Sequence, residues 1–142
     1  MTSAEKLFDE VRLLWHALVK SGEEIHADGT ISPGIRAVLE HVERHGPASV
    51  PHIARARRVT RQHIQGLVND LVASGLARIE DNPVHRRSGL VRSTDAGTAA
   101  LTKMRRREAE FLASRGLNVN SAKIERAAKT LRRVRERLEA TA

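Results

Sequence analysis

The sequence contains no cysteine. That excludes a disulfide framework, a thiolate metal centre and a cysteine nucleophile. Aromatic residues make up 2% of the 142 residues, so a core has to be assembled from Leu, Val, Ile and Ala. No stretch approaches the roughly 18 consecutive apolar residues that a membrane-spanning helix needs. The opening Met1-Thr2-Ser3-Ala4-Glu5-Lys6 lacks the basic segment and apolar run of a secretory signal. From these absences we expect a cytoplasmic protein with no membrane partner. No serine, histidine or acid sits in a motif for nucleophilic or acid–base catalysis, so neither an enzyme nor a bound cofactor is expected.

What is present is positive charge. Against 17 Asp and Glu stand 25 Lys and Arg, a formal net charge of +8. A basic chain without a membrane segment suggests a polyanionic partner. The length favours one domain over residues 1–142.

Apolar residues recur at Leu7, Val11, Leu14 and Leu18, widened by Phe8, Trp15 and Val19, which marks one face of a first helix. Thr2 and Glu5 fit a capping box. Ser21-Gly22 and then Asp28-Gly29 are expected to loosen or end this helix. Its stripe is broad for the end helix of a small monomer, which points to packing on a second chain. Ser32 and Pro33 start the next helix, with Ile35, Val38, Leu39 and Val42 inward, and Gly46-Pro47 stops it. Ser49 and Pro51 open a short helix with Val50, Ile53 and Ala54 inward. His41 and His45 stand one turn apart, but they read as two exposed histidines with no third ligand nearby, so no metal is expected.

A helix from Thr60 is expected to bury Ile64, Leu67, Val68, Leu71 and Val72. Gln62, Gln65, Gly66 and Asn69 then face outward. A face of amides and a glycine is unusual for a merely solvated helix, and glycine there costs up to about 1 kcal/mol against alanine. Close approach to a groove wall is one use for it. Gly75 ends the helix. Leu76–Glu80 and Leu90–Ser93 read as short strands around the hairpin Asn82-Pro83-Val84-His85-Arg86-Arg87-Ser88-Gly89. Thr94 caps a long helix that ends at Gly116. In the final helix Ile124, Ala127, Leu131, Val134 and Leu138 alternate spacings of three and four, the heptad pattern of a helix seam.

Two short helices joined by a turn, with a hairpin after them, form a winged helix-turn-helix. In that geometry the early residues of the second helix reach base edges. Gln62, His63 and Gln65 are the base-contact candidates, with Asn69 farther along. Arg61, Arg57 and Arg58 suit phosphates, and Thr60, which makes the turn and cap, is counted among the DNA-binding residues. His85, Arg86 and Arg87 on the hairpin suit the backbone or a narrow minor groove. One of the two wing arginines also has the option of pairing with Asp81 or another acid to hold the wing.

At these residues the chain resembles the MarR family of bacterial transcriptional regulators. The likeness is carried by Ser32-Pro33, Val38-Leu39, Ile53-Ala54, Val59-Thr60-Arg61, Val68 with Leu71 and Gly75-Leu76, the wing Asn82-Pro83 with His85-Arg86-Arg87-Ser88, and Ser93-Thr94-Asp95 with Gly97. It implies a mainly α fold with a small β-hairpin wing: a winged helix-turn-helix at 31–101, a connecting helix at 94–116, and dimerisation helices at 1–30 and 117–142. It also implies a homodimer binding double-stranded DNA at a near-palindromic operator, and release by a small aromatic or anionic effector. Trp15, His16, Ile31, Arg36 and Phe111 would border the effector site. An acidic residue often precedes the wing arginines in this family, and here His85 holds that place. Two other readings stay open, a non-specific architectural DNA-binding protein and a protein-interaction module that binds no DNA.

Overall fold

The computed structural model describes residues 1–27 and 31–141. These form two compact units, Met1–Glu108 and Ala109–Ala142.

The first unit opens with α1, Ser3–Ile25, whose start is closed by the Thr2–Glu5 capping box. The helix runs through Ser21 and Gly22, where the sequence suggested a break, and His26 N–H still donates to the Gly22 carbonyl. One glycine costs a helix only about 1 kcal/mol, too little to end the roughly five turns already formed. The second suggested stop, Asp28-Gly29, lies outside the described residues. Leu7 and Phe8 are half-buried on α1, whereas Val11, Leu14, Trp15, Leu18 and Val19 are exposed.

Three helices follow: α2 (Pro33–His45), α3 (Val50–Arg57) and α4 (Arg61–Ala73). Each starts the same way, with the Oγ of Ser32, Ser49 or Thr60 accepting the N–H three residues on. Such a cap satisfies a donor that the helix itself leaves orphaned. Leu39, Ile53, Leu71, Leu101, Val38, Val68 and Val91 are fully buried where these helices meet the wing and the helix that follows it. Val72 departs from expectation and is exposed. It sits about 40° round the helix from Val68, at the rim of the buried stripe.

The wing is a two-stranded antiparallel sheet of β1 (Ala77–Glu80) and β2 (Leu90–Ser93), pairing Ala77 with Ser93 and Glu80 with Leu90. Ala48 adds a bridge to Val91 on the other side. Then comes α5, Asp95–Ser114. Its start is locked to the end of α4. Thr94 Oγ1 accepts from Gly97 N–H at 3.1 Å and donates to the Gly75 carbonyl at 2.6 Å, while Thr94 N–H donates to the Leu76 carbonyl.

In the second unit α5 ends at Ser114, and Gly116 two residues on has a left-handed φ of 67°. Helix α6, Ala122–Glu139, is capped by Ser121. It leaves Ile124 and Leu138 exposed, with Leu131 and Val134 half-buried on the same seam.

His41 is not the exposed residue that its spacing suggested. It is 8% exposed and its Nε2 is without a hydrogen-bond partner. His45 lies 4.9 Å and His52 5.9 Å from its ring, centroid to centroid. Burial first, then His45, His52 and Arg57, hold its pKa below the usual imidazole value. The unfolded chain therefore takes up this proton at a higher pH than the folded one does. Stability is lost as pH falls through the unfolded value near 6.5, by up to about 1.4 kcal/mol per pH unit. Denaturant melts at pH 7.5 and 5.5 should show this loss, and His41→Leu should reduce it. An equal acid loss in the variant would assign it elsewhere.

Candidate nucleic-acid interface

The first two turns of α4 and the return of the wing enclose an open cleft of about 370 Å³. Arg61, Gln62 and Gln65 form one wall. Arg87, Ser88 and Gly89 line it from the wing, and Val50, Pro51 and Ile79 complete the lining. Residues more than twenty positions apart thus share one concave, basic surface.

Each candidate occupies a definite place on or near it. Thr60 is committed as the α4 cap through His63 N–H. Gln62 and His63 are exposed in the first turn. Gln65 Nε2 donates to Asn69 Oδ1 at 2.9 Å, which joins two outward amides into one polar strip. Gly66 lies beside it, and a methyl group there would meet no protein atom within 4 Å. Nothing inside the fold therefore requires glycine at this position. Arg57 ends α3, and Arg58 caps it in the left-handed region at φ 56°.

On the wing, Asn82 Oδ1 accepts from Val84 N–H, and Ser88 N–H donates to the His85 carbonyl. These bonds shape two successive turns, and the second carries Arg86 and Arg87 at its two central positions. Among the described residues, no ion pair engages Arg61, Arg86 or Arg87. The option of an Asp81 brace is therefore not taken up. The wing is braced at its base instead, where Glu80 Oε1 lies 2.8 Å from Arg92 Nε and 2.9 Å from Arg78 Nη2. The guanidinium of Arg92 beside it, and then that of Arg78, hold the Glu80 carboxyl below its usual range. Sequence reading missed this brace. The strand alternation that places Arg78 opposite Arg92 was the available signal.

A second cleft, of about 620 Å³, opens beside α1. Trp15, Leu18, Val19, Ile31 and Pro33 give it apolar walls, and Glu23, His26, Arg36 and Glu108 give it polar ones. Of the expected effector-site residues, Trp15, Ile31 and Arg36 line it. His16 is exposed on α1 and is not among the lining residues. Phe111 belongs to the second unit, where the Arg115 guanidinium lies 4.8 Å from its ring centroid. Glu108, 72 positions from Arg36, had no local signal in the sequence. Among the described residues, no group of three His, Asp or Glu is arranged to hold a metal ion, and no helix is long and apolar enough to cross a membrane.

Comparison with known proteins adds to this geometry. A family model described as the MarR family matches residues 36–88. An uncharacterised protein of Mycobacterium tuberculosis is 47% identical over 53 residues, which is 37% of this chain and 37% of that protein. A solved MarR family transcription regulator is 26% identical, with 98% of this chain and 96% of that one covered at a TM-score of 0.81. The solved BpsR of Bordetella bronchiseptica, described by the regulation of its DNA binding by 6-hydroxynicotinic acid, is 20% identical. It covers 94% of this chain and 96% of its own length at a TM-score of 0.78, a likeness of fold.

Proposed function

We propose, from the chain's membership of the MarR family of transcription regulators, that it acts as a homodimer on a near-palindromic DNA operator. The single observation that carries this is the concave basic surface joining Arg61, Gln62 and Gln65 to Arg87. Helix α4 would enter the major groove, while Arg86 and Arg87 would take phosphates or the neighbouring minor groove. The exposed Val11 and Leu14 on α1, and the Ile124–Leu138 seam of α6, support pairing with a second copy. A two-fold dimer sets half-sites about 34 Å apart.

Footprinting on genomic DNA tests the proposal, together with sedimentation at equilibrium. A few sharp near-palindromic sites and a particle of twice 15.7 kDa are expected. Uniform coverage would indicate an architectural protein instead. A chain that protects no DNA would indicate an interaction module.

Gly66 supplies a sharper test within the same proposal. Gly66→Ala should stabilise α4 by up to about 1 kcal/mol, because alanine restricts the unfolded chain and meets nothing in the folded one. The same methyl group should weaken operator binding, since it stands where the groove wall comes closest. Melting and gel-shift titration on one preparation read both effects. A more stable variant with undiminished DNA affinity would take Gly66 out of the interface.

The cleft beside α1 is proposed as the effector site. It would hold a small aromatic compound that shifts the dimer between DNA-competent and incompetent forms by binding them unequally.

A further inference from the structure

We infer that the cleft beside α1 selects a small aromatic cation and disfavours an anion. This rests on the effector reading above and specifies its ligand class. The reason lies in how the charges of the cleft are already paired.

Arg36 is the one guanidinium among the lining residues, and the obvious partner for a carboxylate ligand. It is engaged by the protein itself. Its Nε donates to Glu108 Oε1 and its Nη2 to Glu108 Oε2, both at 2.7 Å. This is the bidentate fork that a ligand carboxylate would need. His26 Nε2 lies 3.5 Å from the same Glu108, so the remaining nearby cationic candidate also faces that acid. Glu23 adds a second carboxylate to the lining. Before His26 is counted, two carboxylates and one guanidinium leave the cleft with one net negative charge.

An incoming anion would have to break the Arg36–Glu108 fork and then face two displaced or unpaired carboxylates. Like charges at such short range discriminate strongly. An organic cation meets the opposite situation. Glu23 and the outer face of Glu108 attract it, Leu18 and Ile31 take its apolar body, and Trp15 offers an indole face for cation–π contact. A flat ring bearing an ammonium group fits that combination of walls.

The sequence also supplies the reporter. Trp15 is the only tryptophan and there is no tyrosine, so indole emission from the whole protein reports on this cleft. Titration with benzyltrimethylammonium, benzyl alcohol and benzoate compares three charges on one ring. The ammonium should bind about tenfold or more tighter than benzoate, with the alcohol between them. Glu108→Gln should free Arg36 and reverse that order. Glu23→Gln, at an exposed position, should weaken the ammonium without reversing it, and this keeps the test intact if the first variant folds poorly. Benzoate binding tightest, three equal affinities, or no response from Trp15 would each overturn the inference. Operator release is measured separately. A cation that perturbs Trp15 but leaves DNA bound would sink the effector role and leave the charge selection standing.

Discussion

Replacing Gly97 with alanine is expected to lower the melting temperature by on the order of 10 °C, or to leave no cooperatively folded protein. A Cβ at this position would clash with the Leu76 carbonyl oxygen and lie 2.8 Å from Ser93 Oγ. The first of these is backbone at the entry to β1 and cannot swing aside as a side chain does. Relief requires the start of α5 to move away from the end of α4. That movement breaks the Thr94 hydroxyl bond to the Gly75 carbonyl and the Thr94 N–H bond to the Leu76 carbonyl. Overpacking costs about 1–3 kcal/mol, and each lost hydrogen bond adds about 1 kcal/mol. The sum, about 3–5 kcal/mol, is a large part of the 5–15 kcal/mol that holds a typical domain together. Thermal melts followed by circular dichroism decide it. A melting temperature within a degree or two of the parent would mean that α5 and β1 separate easily and that the Thr94 lock is weak. Gly66 sits in a helix just as Gly97 does, yet the expected effect of alanine there has the opposite sign, because its surroundings are empty.

The second large effect belongs to the wing. The double variant Arg86→Ala, Arg87→Ala should lose about a hundredfold or more in operator affinity near physiological salt. Neither side chain has an ion-pair partner among the described residues, so removing both leaves no acid stranded. Folding should be unaffected, since the wing is braced at its base by Glu80 with Arg78 and Arg92. A homodimer would lose four positive charges. With each phosphate contact contributing about −0.9 to the slope of log affinity against log salt, the slope should become shallower by about 3 to 4. Affinity measured across a salt series separates this from general damage. A weaker complex with an unchanged salt slope would show that these arginines act other than by contacting phosphates.

Most of the fold was legible because it is written in local chemistry. Ser32 before Pro33, Ser49 before Pro51, and Thr60 and Thr94 each announced a helix start within four residues. The hairpin was bounded by turn residues, and β2 fell at Leu90–Ser93 as the pattern suggested. Three features escaped, each for a physical reason. Cooperative α1 absorbed Gly22. Val72 is exposed although it falls near the apolar stripe, because helical periodicity gives an angle but not whether a neighbour reaches it. The burial of His41 has no signal in its own turn, because it is α3 that brings His52 against it. In the candidate sites, the outward strip of α4 followed directly from its buried strip. The Arg36–Glu108 fork did not, since it joins side chains that only the tertiary fold brings together.

Between Asp95 and Glu108, helix α5 spans about 20 Å at 1.5 Å per residue. One end of that rod is pinned by Thr94 and Gly97 to the junction of α4 and β1. The other end offers Glu108 to Arg36 and His26 in the α1 cleft. A helix resists bending over such a length, so a displacement of Glu108 becomes a tilt at the pinned end. The end of α4 and the α1 cleft therefore meet opposite ends of one stiff rod.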